Sequence, residues 1–335
     1  MAEIKRISGR SLLIRISSLA VLTFIAGAAA LLIGSVPVNA GDLFNLVFNP
    51  AQVSDLTRQV ILEVRLPRIL LAVAVGGGLS VSGAVFQAIL MNPLAEPYIL
   101  GISSGAAFGA VLSFLLSAAF IVTQLFSFTG AISVVLLVFL LGRRFGELEP
   151  NTLLLSGVMV GAFFSASILM MTTMLNETLR TAVYWLMGHL ALADPRSVYI
   201  VFPVSVLVSF LLMLNSHRYN VLSLGSETAR HLGINTALLK NITYILNSIL
   251  IGMLVSVSGI IGFVGLLVPH ACRMLFGVDN RIIIPASFFI GAAYLTIADT
   301  IARTVISPGE IPVGAVTAFI GAPVFIYLLR KRFKV

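Results

Sequence analysis

The chain has 335 residues, of which 59% are hydrophobic and only 10% charged, at a mean hydropathy of +1.06; soluble domains carry about 25% charge. This excludes a soluble globular protein and predicts an all-α polytopic membrane protein, a single transmembrane domain over residues 1–335. The net charge of +8 comes from basic residues dispersed between apolar runs, a pattern of membrane orientation rather than of nucleic-acid binding.

Lys5, Arg6, Arg10 and Arg15 precede an apolar run from Ile16 to about Val36. The run has no convincing cleavage site and reads as a retained first helix rather than a signal peptide. Ten apolar segments near spanning length follow one another: roughly 14–36, 66–90, 95–116, 119–142, 152–175, 197–215, 240–259, 262–277, 282–304 and 312–330. Only Gly259-Ile260-Ile261-Gly262 separates the seventh from the eighth, so nine helices with one broken is an open alternative. With ten spans, Arg58, Arg65, Arg68, Arg180, Arg196 and Arg303 fall on one side and the other fifteen of the 21 Lys/Arg on the other. The positive-inside rule then puts both termini in the cytoplasm.

The second segment opens on Arg65 and Arg68 and carries Ser80-Val81-Ser82-Gly83, which recurs 176 positions later as Ser256-Val257-Ser258-Gly259; Pro93 and Pro269 share that offset. Five spans separate the copies, so they point in opposite directions. This predicts an inverted repeat of helices two to five and seven to ten. Between the second and third segments, Pro93 and Pro97 break the helix around a lone charge, Glu96, read as an interfacial turn. Small residues at helical spacing mark close helix contacts: Gly101, Gly105 and Gly109 in the third segment, Gly157, Gly161 and Ser165 in the fifth, Ser248, Gly252 and Ser256 in the seventh. The fifth also carries Met159, Met170, Met171 and Met174, flexible side chains suited to a bulky ligand, and is a candidate path helix.

The island at 217–240, HRYNVLSLGSETARHLGINTALLK, interrupts the apolar pattern on the basic side. Ser226 is placed as a helix N-cap and Gly233 as the residue beyond its C-cap, bracketing a helix of about six residues. A helix below roughly 12–15 residues does not stand alone. It packs on its own protein or docks a soluble partner. In the ninth segment Asp299 and Arg303 stand four apart and read as an intrahelical ion pair. Single Cys272 allows no intrachain disulfide, and the four histidines are far apart with no metal-ligand spacing. No HExxH, GxSxG or Gly-x-x-x-x-Gly-Lys setting occurs, so catalysis is not expected and ATP must be hydrolysed on another chain.

RLPR at 65–68, SGAVFQAILMNPLAEPYILGISSGA at 82–106, YWLMG at 184–188, LGxxxARxLG at 224–233, GFVGLLVPHxxR at 262–273 and ADxxAR with EIPVG and GAPVFIYLL over 298–329 occur in this order. By these motifs the chain resembles the FecCD-like permease subunits of type II bacterial ABC importers for iron–siderophores, haem and cobalamin. The resemblance implies a multi-pass protein of the bacterial or archaeal cytoplasmic membrane, paired as a homodimer around a central path. It implies two cytoplasmic ATPase subunits holding ATP and Mg²⁺, no cofactor or metal in this chain, and an extracytoplasmic substrate-binding protein. It assigns ATPase coupling to Leu224, Gly225, Glu227, Ala229, Arg230, Leu232 and Gly233, with Ser226 where the family usually has an acid. An inner gate is implied at Pro150 and Asn151, with the path continuing along Gly157, Gly161 and Ser165. Arg65, Arg68 and Arg303 coincide with where the family's binding proteins dock through acidic residues. The rival expectation is a stand-alone secondary transporter or channel using Glu96 or Asp299 for ion coupling.

Overall fold

The computed structural model describes residues 9–144, 147–192, 194–307 and 309–332. Lys5, Arg6 and Lys334 of the charge census lie outside them. Helix α1 (Gly9–Leu32) is followed by the short α2 (Ala40–Phe48) and α3 (Asp55–Gln59). A π-helical turn, Val60–Arg65, carries α3 straight into α4 (Leu66–Ile89), so Asp55–Ile89 is one continuous 35-residue rod. The helix that carries the segment expected from 66 thus begins eleven residues earlier, and hydropathy misses those first three turns because they are mixed in polarity. Then come α5 (Ile102–Leu115), α6 (Phe120–Leu141), a two-residue antiparallel pairing of Arg143–Arg144 with Glu147–Leu148, and α7 (Pro150–Thr172). α7 has Pro at its first position, where the missing N–H costs nothing, and Glu149 accepts from Asn151 N and Thr152 N. Helices α8 (Leu179–Leu186), α9 (Pro195–Met213), α10 (Ser216–Leu222) and α11 (Ser226–His231) lead to α12 (Thr236–Ser258), α13 (Val264–Phe276), α14 (Asn280–Thr304) and α15 (Val313–Arg332).

Among the described residues, seven helices are long and apolar enough to cross a membrane, and three shorter apolar ones, in α5, α13 and α15, coincide with the remaining expected segments. Gly259–Phe263 separates α12 from α13 with positive φ at both ends of the link, which resolves the choice in favour of two helices. α4 forms the core: nearly every residue from Pro67 to Ile89 is buried. Two of its main neighbours run against it. Gly78 faces Leu254 and Ser82 O accepts from Asn247 Nδ2, so α12 is antiparallel to α4. Gly76 meets Gly291 while Arg68 meets Asp299, so α14 is antiparallel as well.

The inverted repeat lies in the order of elements. Helices of 24, 14, 22 and 23 residues (α4 to α7) are matched by 23, 13, 25 and 20 (α12 to α15). The leading helix of each half packs along the third helix of the other, α4 on α14 and α12 on α6. The tetrapeptides that suggested the repeat are not equivalent points in it. Ser80–Gly83 sits inside α4, whereas Gly259 ends α12; Pro93 lies in a connection, whereas Pro269 lies inside α13.

Candidate functional site

At one end of the bundle, α10 and α11 form the segment expected to meet an ATPase. α11 spans six residues, the length predicted from Ser226 and Gly233, but Gly225 (φ +108°) is its N-cap, a conformation that only glycine takes easily. Ser226, expected as the cap, is instead the first helical residue, and its hydroxyl accepts from Lys240 Nζ at 3.0 Å. Gly233 (φ +83°) closes the helix: its N–H bonds Arg230 O at 2.9 Å and Ile234 N–H bonds Ala229 O at 3.0 Å, a Schellman motif. Ala229 is fully buried and roots the helix, and Arg230 reaches Glu147 Oε1 at 3.5 Å. Leu224 and Leu232, at its two ends, are exposed, as is Glu227. Beside it, Asn215, Arg218, Gly233, Asn235 and Leu238 line a cavity of about 350 Å³.

Sequence reasoning missed the clasp that ties this segment to the bundle. Asn220 of α10 donates Nδ2 to Asp279 Oδ1 at 2.7 Å and accepts Asn280 N–H at 2.8 Å. Asp279 also caps α14 through Arg281 N and pairs with the Arg281 guanidinium. Partial burial pushes its pKa up, but the bonds from Arg281 and Asn220 outweigh that and pull it down to about 2. Asp at a helix start was the available signal for the cap; nothing in the sequence points to Asn220.

At the opposite end, Arg65, Arg68 and Arg303 are only 3%, 8% and 8% exposed. Arg65 donates to the carbonyls of Leu31, Leu32 and Val36, and Arg303 to that of Ala30. Arg68 grips Asp299 through Nε and Nη2 and Glu310 through Nη1, at 2.9–3.1 Å. Asp299 therefore pairs across to α4 and not with Arg303 four residues on. His189 Nε2 lies 3.7 Å from Glu310, and burial, reinforced by the Arg68 charge, holds its pKa below the usual value. The cations on this face that remain exposed are Arg58, Arg180 and Arg196.

Pro150 and Asn151 open α7, with Asn151 exposed. Gly157 and Gly161 turn to the start of α5, against Leu100 and Gly101, while Ser165 is exposed, as are Met159, Phe163 and Met170. Small residues of α5 likewise meet α6, and Gly252 of α12 meets Ala131 of α6, while Gly101 itself is the N-cap of α5. Glu96 Oε1 accepts the N–H of Phe263 at the start of α13, and Tyr98 exchanges hydrogen bonds with Ile261. Glu96 and Asp299 are thus both engaged with partners in the fold.

Ten apolar helices in two inverted halves, with a pair of short charged helices at one end, define a polytopic transporter subunit. The chain belongs to the FecCD transport family, whose model matches residues 21–331; it is an ABC-transporter permease and not an enzyme. It is 41% identical over 278 residues to a cobalamin import permease of Halobacterium salinarum, covering 82% of this chain and 75% of that one. It is 37% identical over 322 residues to a molybdate import permease of Haemophilus influenzae, covering 93% and 94%. Its fold matches an inward-facing metal-chelate type ABC transporter with a TM-score of 0.85 at 34% identity, over 94% of this chain and 98% of that one.

Proposed function

We propose that two copies of this chain form the membrane path of an importer that carries a metal chelate, such as an iron–siderophore, haem or cobalamin, into the cytoplasm. Two ATPase subunits holding ATP and Mg²⁺ dock on the coupling segment, on the side that also holds the termini. A soluble binding protein delivers substrate at the arginine end, where its acidic side chains meet the exposed Arg58, Arg180 and Arg196. Arg65, Arg68 and Arg303 hold the helix ends beneath that surface. The observation that carries this reading is α11: a six-residue helix rooted by Ala229, flanked by exposed Leu224 and Leu232, with a cavity at its Gly233 end. Cobalamin is the substrate named for one relative and a metal chelate for the structural neighbour, and the flexible Met side chains of α7 suit a bulky chelate. The molybdate relative supports a second reading, a small oxyanion.

The reconstituted complex, offered labelled ferric siderophore, haem, cobalamin and molybdate, is expected to accumulate one of the chelates only with ATP and binding protein. Leu232→Glu, at an exposed position, should abolish uptake by releasing the ATPase while the permease stays folded. Uptake driven by an ion gradient without ATP would sink the reading, and uptake of molybdate alone would replace the substrate.

A further inference from the structure

Helix α2 has no assigned role, and its placement gives it one. Phe44, Val47 and Phe48 fall at i, i+3 and i+4 on one face and are 59%, 71% and 66% exposed, the two phenyl rings tilted by 36° with centroids 4.6 Å apart. Leu43 and Leu46, on the other side, are half-buried. The helix is rooted at both ends by buried Val38 and Val53, and Asn39 and Asp42 close its first turn, Asn39 N–H donating to Asp42 Oδ2 at 2.8 Å. Its depth is set by Arg65. That guanidinium sits at the base of the α4 span and holds the carbonyls of Leu31 and Leu32, where α1 ends, and of Val36. Ala40 begins four residues further on, at most about 14 Å of extended chain away.

α2 thus starts at the membrane boundary that the ends of two spans define. Nine residues make a helix of about 14 Å, less than half the hydrocarbon thickness, so it cannot cross. The preceding helix α1 is apolar outward in the same way: its most apolar window has no buried residue, Phe24 and Ile25 are exposed, and so is Ile33 just beyond its end. We propose that α2 is an interfacial anchor: Phe44, Val47 and Phe48 enter the boundary between headgroups and acyl chains of the leaflet at the arginine end, and the occupant of this face is lipid. The anchor pins the start of the Asp55–Ile89 rod at a fixed height while other helices move. The inference rests on membrane insertion alone and is independent of what the transporter carries.

Trp185 is the single tryptophan and is buried (2% exposed), so it supplies a constant background. In nanodiscs, Phe44→Trp and Phe48→Trp are expected to add blue-shifted emission that is lost to lipids brominated high on the acyl chain, and to resist aqueous iodide. Val47→Cys carrying an environment-sensitive dye should report the same apolar setting without an aromatic change. Iodide quenching equal to that of free tryptophan, with no effect of brominated lipid, would overturn the proposal. So would quenching by lipid that disappears on adding binding protein, which would assign the face to that partner. Loss of lipid quenching only when two permease copies are present in one disc would assign it to the second copy and equally overturn it.

Discussion

At the scale of single residues, Arg68 decides the chemistry of one end of the molecule. A guanidinium offers five donors in a rigid planar fork, and here one edge takes Asp299 while Nη1 takes both oxygens of Glu310. The Asp299–Arg303 spacing on one helix suggests an intrahelical pair, but such pairs contribute only about 0.3–0.5 kcal/mol. The two-point grip from α4 prevails. Because Asp299 is 2% exposed, removing its partner leaves a buried charge, and Arg68→Met should destabilise the chain by about 3–5 kcal/mol. Adding Asp299→Leu should restore most of that loss, since an apolar pair replaces a buried ion pair at little net cost. Thermal unfolding of the purified single and double variants checks both halves; an equally unstable double variant would show that packing, not charge, holds this end. The glycines of α7 allow a sharper contrast. A Cβ on Gly157 would lie 2.6 Å from Leu100 Cα and 2.7 Å from Ile99 O, backbone that cannot give way. On Gly161 the nearest atom would be 3.7 Å away. Gly157→Ala should therefore cost about 1–3 kcal/mol, while Gly161→Ala should be neutral or gain up to about 1 kcal/mol of helix propensity. Equal melting temperatures for the two variants would contradict the close approach of α7 to α5.

Among the elements, α14 connects the two ends of the molecule. Its 25 residues make a rod of about 37 Å. Asp279 and Asn280 at its start are clasped by Asn220 of α10, and Asp299 near its end is gripped by Arg68. A displacement of α10 by a docked ATPase would therefore reach the far end along one helix. Asn220→Ala should leave ATPase binding and hydrolysis near normal and lower the substrate moved per ATP. A normal ratio would mean that α14 does not carry the coupling. The clasp should not respond to pH in the working range. Asp279 is depressed from 3.8 to about 2, so its contribution is fully present above the unfolded value and lost only as pH falls through about 2. The spans were legible because a bilayer demands long apolar runs, and the short α11 because Ser226 and Gly233 mark its two ends, though its cap falls one residue earlier, on Gly225. The third span was expected from residue 95, yet α5 begins at Ile102: Ala95 and Leu100 are apolar and buried, but Pro93 and Pro97 forbid the helix that hydropathy alone suggests. Asn220 was invisible because its partners lie 59 and 60 residues away, and a hydrogen bond between the remote α10 and the start of α14 leaves no periodic trace. The arginines were visible as charges, but sequence does not say whether a charge near a helix end faces water or its own backbone carbonyls.

For the whole molecule, burial is distributed unevenly, and the exception is informative. The window of highest hydropathy is 89% buried in the Asp55–Ile89 rod and only 17% in α7, although both are equally apolar. α7 lies against α5 and α6 through one face and leaves Leu155, Met159, Phe163 and Met170 uncovered on the others. Lipid would cover an all-apolar face, but this one also presents Asn151 near its start and Ser165 midway, polar groups that favour a neighbouring protein surface or a path. A second copy placing its own α7 opposite would satisfy both, leaving the central route between the two. The expected outcome is that Met159→Cys or Phe163→Cys, each in a Cys272→Ser background, forms a disulfide-linked dimer in oxidised membranes, because a disulfide needs Cα atoms within about 7 Å. Phe24→Cys on α1 should stay monomeric under the same oxidation. The linked dimer should still bind ATPase through the distant coupling segment, but no longer import, and reduction should restore uptake. Cross-linking through α1 with none through α7 would place the second copy on the other side of the bundle and remove α7 from the route.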